Sequence, residues 1–339
     1  MLLIYGCTGY TGWLVAEEAR GTDAILAGRN AEKVRTVAGD RPMRVFEATV
    51  PDLTGVKVVL NCAGPFTRMA GPLVDACIRE RVHYVDITGE IGVFAGVHAR
   101  DAEARAAGVM LLPGAGFDVV PTDCLALHLK QRLPSATRLT LAIAGSGGIS
   151  HGTMTSMLDN LATPDGQRID GKLVFGKGFA QRRVDYGDGK ERIAVRIPWG
   201  DLYTAYVTTG IPTISTWAAM SPALARAMWW SRFLLPLLET KLVRGILQAR
   251  VDAMPEGPTE EQRHRGWSRI WGEVEDDAGG RASARLVTPE GYLLTSRTAV
   301  EIARRALAGD APAGFQTPGT AYGADFVLGF AGVRRNDES

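Results

Sequence analysis

The chain has 339 residues, of which 46% are hydrophobic and 22% are charged, and its formal net charge is +1. This length indicates two domains or one large one, with ample apolar material for sizeable cores. The balanced charge argues against nucleic acid as the main partner. The four cysteines form no CxxC or Cys/His cluster, so we expect free thiols in a reducing compartment and no metal site. No secretory leader pattern precedes Leu2, and a cytoplasmic location is expected.

The first motif is a glycine triplet between a predicted strand and a predicted helix. An apolar run at residues 2–5 leads into Gly6, Gly9 and Gly12, and apolar residues at helical spacing follow at once. In a dinucleotide-binding unit the first glycine makes the turn, the second lets a diphosphate approach, and the third lets the helix pack closely. The helix N-terminus then offers N–H groups to the phosphates. The spacing is GxxGxxG, for which an ordinary glycine turn is the alternative, but the position between strand and helix favours nucleotide binding.

The end of the second predicted strand indicates which dinucleotide is bound. Residues 24–28 predict this strand, and it runs into Arg29 and Asn30 without a carboxylate. An acid at this point binds the ribose 2′-hydroxyl of NAD, whereas an arginine suits the 2′-phosphate of NADP. Arg29 can pair bidentately with phosphate. The pattern favours NADP, with a solvated arginine at a helix start as the alternative.

Further strands and helices complete a doubly wound, parallel α/β sheet of six strands. The remaining strands are predicted at residues 43–46, 56–60, 83–87 and 109–112, and helices at residues 31–38, 69–79 and 101–107. The nearly all-apolar run at 56–60 is typical of a strand buried on both faces. The loop that follows it contains Ala63, Gly64 and Pro65 at the carboxyl edge, where ligands bind in such sheets. We expect this loop either to pass under the nicotinamide or to be a plain turn.

Three acidic residues are candidate proton donors or substrate-orienting groups at this edge. Asp86 lies near the end of the fifth predicted strand and Glu90 follows that strand, whereas Asp118 lies in the glycine-rich stretch 113–118, which we interpret as a domain junction. Thr88 offers an alternative, since it could cap the next helix with Glu90 in the first turn.

His151 is a fourth candidate in the proton-transfer group. It lies in a polar, glycine-rich loop at residues 145–153, before a short predicted helix at 154–160. Histidine can exchange a proton near neutral pH. A capping or surface histidine is the alternative.

The second half of the chain predicts a mixed or antiparallel sheet with helices on one face. Its strand-like runs are residues 139–144, 172–175, 181–186, 191–197, 202–208, 269–275 and 281–287. Tyr186 and Lys190 have a YxxxK spacing, but the turn between them excludes the helical pair that this motif requires. Residues 217–250 predict apolar helices, interpreted as core or as a dimer surface, with an interfacial membrane helix as the alternative. A capping box at 259–262, an amphipathic helix at 298–307 and a structured loop at 314–318 follow.

Together these residues resemble the saccharopine dehydrogenase-like oxidoreductases, which include saccharopine reductases and trans-acting enoyl reductases. The resembling stretches are YGCTGYTG (5–12), LAGRN (26–30), NCAGPF (61–66), YVDITGE (84–90), GAGFDVVPTD (114–123), TPEGY (288–292), GFQTP (314–318) and AYGADF (321–326). The resemblance implies an NADP-binding Rossmann domain at 1–113, a substrate or dimerisation α+β domain at 114–290, and a C-terminal helix and tail at 291–339 that return to the first domain.

The resemblance also implies which residues hold the cofactor. The diphosphate would be held by Gly6, Thr8, Gly9, Tyr10, Thr11 and Gly12. Arg29 and Asn30 would meet the 2′-phosphate, and Ala63, Gly64 and Pro65 would line the nicotinamide side.

The expected function is that of an NADPH-dependent oxidoreductase that transfers hydride to an imine or an enoyl substrate. The apolar second domain favours a hydrophobic or lipid-like small molecule. A non-catalytic NADPH-binding sensor or scaffold is the alternative, since no catalytic dyad is evident.

Overall fold

The computed structural model describes residues 1–146, 150, 151, 154, 165–176, 178–231 and 241–338. The chain divides into two compact units, Met1–Val120 with Gly291–Phe330 and Pro121–Glu290 with Ala331–Ser339. The sequence pattern places the first junction after residue 113 and assigns the whole tail to the first domain. In the structure the first unit continues to Val120, and the last residues belong to the second unit because they add a strand to its sheet.

The strands are β1 (Leu2–Tyr5), β2 (Ala24–Gly28), β3 (Met43–Val45), β4 (Val58–Asn61), β5 (His83–Asp86), β6 (Met110–Leu112), β7 (Arg138–Ser146), β8 (Asp165–Ile169), β9 (Lys172–Gly176), β10 (Gln181–Asp185), β11 (Glu191–Arg196), β12 (Thr213–Ala219), β13 (Trp267–Glu275), β14 (Arg281–Pro289), β15 (Gly314–Phe315) and β16 (Arg334–Glu338).

The helices of the described residues are α1 (Tyr10–Glu18), α2 (Ala31–Ala38), α3 (Phe66–Glu80), α4 (Ile91–His98), α5 (Asp101–Ala107), α6 (Val120–Arg132), α7 (Asp201–Thr209), α8 (Pro222–Ser231), α9 (Lys241–Asp252), α10 (Glu260–Arg265), α11 (Gly291–Leu307) and α12 (Pro318–Tyr322), with a 3₁₀ turn at Phe326–Gly329. No helix among these residues is long and apolar enough to span a bilayer.

The first unit contains a parallel sheet of seven strands in the order β15-β6-β5-β4-β1-β2-β3. Its central strands are buried on both faces, and residues 2–4 and 58–60 have no exposed surface. Strands β2 and β3 lie on one side of β1, and β4, β5 and β6 lie on its other side. The strand order therefore reverses at β1. A crevice at the carboxyl ends of the strands is the usual ligand site of such a sheet. The predicted Rossmann fold is confirmed.

Two predictions about the C-terminal part of this unit are wrong. Residues 314–318 were expected to be a loop, but Gly314–Phe315 pairs with β6, and the Phe315 N–H donates to Asp101 Oδ1 at 2.7 Å. This strand depends on partners that are distant in sequence. Helix α11 begins at Gly291, earlier than the predicted start at 298, because Leu294 and Thr295 are already buried. The helix packs against α1.

The second unit contains a mixed sheet in the order β10-β11-β12-β7-β13-β14-β16, with β8 paired to β12 and to β9. Among the described strands β12 and β7 run parallel, and the other pairs are antiparallel. The predicted mixed sheet is therefore confirmed. The predicted turn after Tyr186 is present, since the Gly187 N–H donates to Asp185 Oδ1 at 2.8 Å.

Other predictions for the second unit are wrong. Residues 202–208 form helix α7, because Leu202 and Ala205 bury one helical face and Gly210 ends the helix with φ of +69°. Residues 217–219 complete β12 rather than a helix, and residues 232–240 of the predicted apolar helices lie outside the described residues.

The two faces of the second sheet differ in chemistry. On one face α6 packs closely, since a Cβ at Gly272 would lie 2.7 Å from Leu129. On the other face arginine and tryptophan side chains stack. The Arg182 guanidinium lies 5.5 Å from the Trp217 ring and 5.0 Å from the Trp271 ring. Such cation–π contacts stabilise a partly buried guanidinium group.

Candidate functional site

The glycine loop between β1 and α1 is packed tightly at two positions and open at the third. A Cβ on Gly6, which has φ of +83°, would lie 2.6 Å from the Ala63 backbone nitrogen. A Cβ on Gly12 would lie 2.0 Å from the Gly6 carbonyl oxygen. For a Cβ built on Gly9 the nearest atom is the Gly6 carbonyl oxygen, at 3.7 Å, so packing does not require a glycine there. Open space at this position beside a helix N-terminus fits an approaching diphosphate.

The other residues predicted to hold the diphosphate lie around this opening. Thr8 reaches towards the end of β2, where its methyl group lies 4.0 Å from a Cβ built on Gly28. Tyr10 and Thr11 form the first turn of α1. The Tyr10 ring contacts the Tyr292 ring edge-on, with 5.2 Å between centroids. Tyr292 was not among the predicted site residues, although it belongs to the TPEGY stretch.

Arg29 and Asn30 are exposed at the carboxyl end of β2. Within the described part of the chain no carboxylate forms an ion pair with Arg29, so its guanidinium can meet a phosphate. Asn30 is the N-cap of α2, and its Oδ1 accepts a hydrogen bond from the Lys33 N–H at 3.0 Å. The structure therefore shows a capping role for Asn30, which the sequence interpretation did not include.

A buried hydrogen-bonded chain supports the loop predicted to lie beside the nicotinamide. Asn61 Nδ2 donates to the Tyr84 hydroxyl at 3.1 Å, and this hydroxyl donates to Asp86 Oδ2 at 2.9 Å. Asn61 Oδ1 accepts from the Ala63 N–H at 3.0 Å, at the start of the loop that contains Gly64 and Pro65. These three side chains have no exposed surface. The chain thus ties the ends of β4 and β5 together.

Asp86 has a positioning role in this arrangement. Its Oδ1 accepts from the Thr88 N–H at 2.9 Å and from the Gly114 N–H at 3.1 Å. Burial raises the Asp86 pKa to about 6, against the opposing effect of these donors and of Tyr84. Both carboxylate oxygens accept hydrogen bonds within the protein, so Asp86 holds the backbone at Thr88 and Gly114 in place. Asn61 and Tyr84 were not predicted, because their alignment depends on the register of β4 with β5.

Asp118 and Glu90 lie near Asp86 at the same edge of the sheet. A Cβ on Gly89 would lie 2.8 Å from Asp118 Oδ2, so the glycine makes room for this carboxylate. Burial raises the Asp118 pKa to about 6. The charge of Glu90, the N-cap residue of α4, contributes to the raised pKa of Asp86. Thr88 does not cap α4 with its side chain. Instead its Oγ1 accepts from the Glu90 N–H at 3.1 Å.

His151 belongs to the second unit. Its Nε2 lies 3.2 Å from Asp252 Oδ1. Residues 147–149, 152–153 and 155–160, which include most of the glycine-rich loop and the predicted helix, lie outside the described residues. The structure brings together Asp86, Glu90 and Asp118, and it gives His151 an acidic neighbour of its own.

Residues 2–112 match the family described as the saccharopine dehydrogenase NADP binding domain. This match covers about a third of the chain, all of it in the first unit. The matched span contains the glycine loop, Arg29 and the Asn61–Tyr84–Asp86 chain. The predicted resemblance and the predicted NADP cofactor are confirmed.

Two curated relatives resemble part of the chain. A trans-acting enoyl reductase of Mycobacterium leprae is 35% identical over 150 residues, which cover 39% of this chain and 36% of that protein. A putative trans-acting enoyl reductase of Mycobacterium tuberculosis is 33% identical over 194 residues, which cover 49% of this chain and 46% of that one. The chain thus matches less than half the length of these relatives.

A solved structure shows the same fold over the whole chain. The apo saccharopine dehydrogenase (L-Glu forming) of Saccharomyces cerevisiae superposes with a TM-score of 0.68 at 12% sequence identity. The match covers 100% of this chain and 99% of that one. At this identity the likeness describes the fold alone.

Proposed function

We propose that the protein is an NADPH-dependent reductase that delivers hydride to the β-carbon of an enoyl group, with a proton added at the α-carbon. The observation that carries the proposal is the open cradle at Gly9 beside an arginine that no carboxylate of the described residues neutralises. The names of the curated relatives favour the enoyl substrate. Bound NADPH would supply the hydride, and the protein would orient the reactants and exclude water.

Each part of the first unit has a distinct task in this proposal. The N–H groups at the start of α1 hold the diphosphate, and Arg29 holds the 2′-phosphate. The Asn61–Tyr84–Asp86 chain keeps the loop at Ala63 in place as a wall for the nicotinamide. Asp118 remains the candidate proton donor, since its pKa of about 6 is close to the range in which general acids work.

Fluorescence titration with NADPH and with NADH tests the cofactor part. Arg29→Ala should weaken NADPH binding about 30-fold, the loss of one charge-assisted phosphate contact, and leave NADH binding unchanged. Arg35→Ala, an exposed arginine on α2, is the matched control and should change neither. Equal losses for both nucleotides, or no loss for NADPH, would contradict the role of Arg29.

An imine substrate is the second candidate, favoured by one observation. Glu90 and Asp118 place two further carboxyl groups near the buried Asp86, and such a cluster suits a cationic iminium better than a neutral enoyl group. NADPH oxidation should be screened with enoyl thioesters, cyclic imines and amino-acid/keto-acid pairs. Turnover of enoyl thioesters alone supports the first proposal, and turnover of imines alone supports the second. Tight NADPH binding without any turnover would favour the sensor alternative.

A further inference from the structure

Helix α8 packs on the second sheet through a small apolar cluster. Ala225, which is 1% exposed, packs with Phe179 and Val195 in a small apolar cluster that Met228 partly covers. Gln181 Nε2 also donates to the Ala225 carbonyl oxygen at 3.2 Å. These contacts hold the helix against the sheet.

The outward part of α8 carries large apolar side chains. Trp230 is 59% exposed, Leu224 is 51% exposed and Trp229 is 36% exposed. The two indole rings contact each other edge-on, with 4.9 Å between centroids. A single exposed apolar residue needs no explanation, but three on one short helix indicate a contact surface. Of the interpretations of this segment, the protein core does not apply to these three exposed side chains, and the dimer surface and the interfacial membrane helix remain.

The segment that contains these side chains has a net positive charge. Arg226 is exposed on α8 between the apolar residues, and the helix contains no acidic residue. In sequence, residues 222–252 contain five Lys or Arg and two Asp or Glu, a net charge of +3, whereas the whole chain has +1. Basic residues thus outnumber acidic residues in the segment that contains the exposed tryptophans.

We propose that Arg226, Trp229 and Trp230, which lie within about 100° of one another around the helix axis and are here called the α8 surface, bind an anionic lipid surface with the helix lying along it. Indole rings prefer the boundary between headgroups and acyl chains, and arginine pairs with anionic headgroups. A second copy of the chain fits this surface less well, because a two-fold contact would set the same positive patch against itself. The binding is weak and reversible, since a few side chains insert and nothing spans the bilayer. This inference does not depend on the reductase activity.

Vesicle flotation with the full chain tests the proposal. Vesicles of phosphatidylcholine mixed with phosphatidylglycerol should carry the protein upwards at low salt, and vesicles of phosphatidylcholine alone should carry much less. Trp230→Ala should weaken binding to the mixed vesicles about tenfold. Arg226→Glu should weaken binding to the mixed vesicles about 30-fold, because it replaces attraction to the anionic lipid with repulsion. Binding to the neutral vesicles should change little.

A matched control and a sizing experiment make the outcomes decisive. Phe175→Ala removes an aromatic side chain of similar exposure, 46%, from β9 and should leave vesicle binding unchanged. Absence of binding to the mixed vesicles at low salt overturns the proposal, as does binding that both α8 variants retain. Size-exclusion chromatography without lipid tests the alternative that the α8 surface binds a second copy of the chain. A dimer that Trp230→Ala converts to a monomer assigns the α8 surface to a second copy and also overturns the proposal.

Discussion

The central strands of the first sheet are apolar and buried on both faces. One face of the second sheet instead carries arginine and tryptophan side chains that stack on one another. In the first sheet the distances that matter are between backbone atoms, as at Gly6 and Gly12. In the second sheet they are between long side chains, as where Arg182 lies between Trp217 and Trp271. Backbone contacts tolerate almost no change, and contacts between side-chain ends can adjust. The two units should therefore respond differently to substitution.

The largest effect is expected at Gly12. Gly12→Ala would place a methyl group 2.0 Å from the Gly6 carbonyl oxygen, and neither backbone segment can yield without moving the glycine loop. We expect a loss of ~3 kcal/mol or more in the free energy of unfolding, together with loss of NADPH binding. Urea denaturation and fluorescence titration measure the two effects.

Gly96→Ala on α4 is the matched control for Gly12. A Cβ at Gly96 meets no atom within 4 Å, so the substitution should stabilise the helix by about 1 kcal/mol. If Gly12→Ala were as stable as Gly96→Ala, close packing would not be the reason for the third glycine of the loop.

A pH-dependent effect of almost the same size is expected at Asp86. Burial raises its pKa from 3.8 to about 6, so the folded state binds this proton more tightly than the unfolded chain. The resulting stabilisation is fully present below pH 3.8 and is lost as the pH rises through about 6. The difference amounts to about 3 kcal/mol for this group. Denaturation at about pH 4 and about pH 7 should show the decline.

Asp86→Asn removes the titration of this group, so the unfolding free energy should depend less steeply on pH than in the unsubstituted protein. Asp118, whose pKa is also raised to about 6, contributes in the same direction, and Asp118→Asn should remove a separate part of the slope. Identical slopes in the protein and in both variants would show that the two carboxyl groups titrate normally.

The same contrast explains which features could be predicted from the sequence. The glycine loop and the apolar central strands are patterns of residues that are close together in the sequence. The sequence therefore predicts both of them, and the Rossmann fold they belong to, correctly. Residues 202–208 contain aromatic and β-branched residues that favour a strand, and only the packing of Leu202 and Ala205 makes them helical. In the candidate site, the sequence predicts the acidic residues near β5. It does not predict the hydrogen-bonded chain through Tyr84, because that chain depends on the register between neighbouring strands.

In the second unit Arg182→Ala should have a moderate effect. The substitution removes two cation–π contacts and exposes the Trp217 and Trp271 rings, which should cost about 1–2 kcal/mol of the free energy of unfolding. Arg182→Lys should not restore the loss, because an ammonium cannot stack as a planar guanidinium does. Near-ultraviolet circular dichroism reports on the tryptophans, and urea denaturation gives the stability.

Arg183→Ala is the neighbouring control for Arg182. Arg183 is 72% exposed, and its ion pair with Glu191 at 3.5 Å is solvated, so its removal should change stability by less than about 0.5 kcal/mol. Equal effects at the two positions would show that stacking does not stabilise this face of the sheet.

The smallest effect, at Asn30, separates capping from cofactor binding. Asn30→Ala removes the acceptor for the Lys33 N–H and should cost about 1 kcal/mol of stability. Asn30→Asp keeps the cap and adds a negative charge at the start of α2, so stability should be retained. If the 2′-phosphate binds beside Asn30, the same substitution should weaken NADPH binding by repulsion and leave NADH binding unchanged.

Thr259→Ala, which removes a helix cap in the second unit, is the control, since it should lower stability by about 1 kcal/mol without changing NADPH affinity. An Asn30→Asp variant that binds NADPH normally would leave Asn30 with the capping role alone and Arg29 as the residue that distinguishes NADPH from NADH.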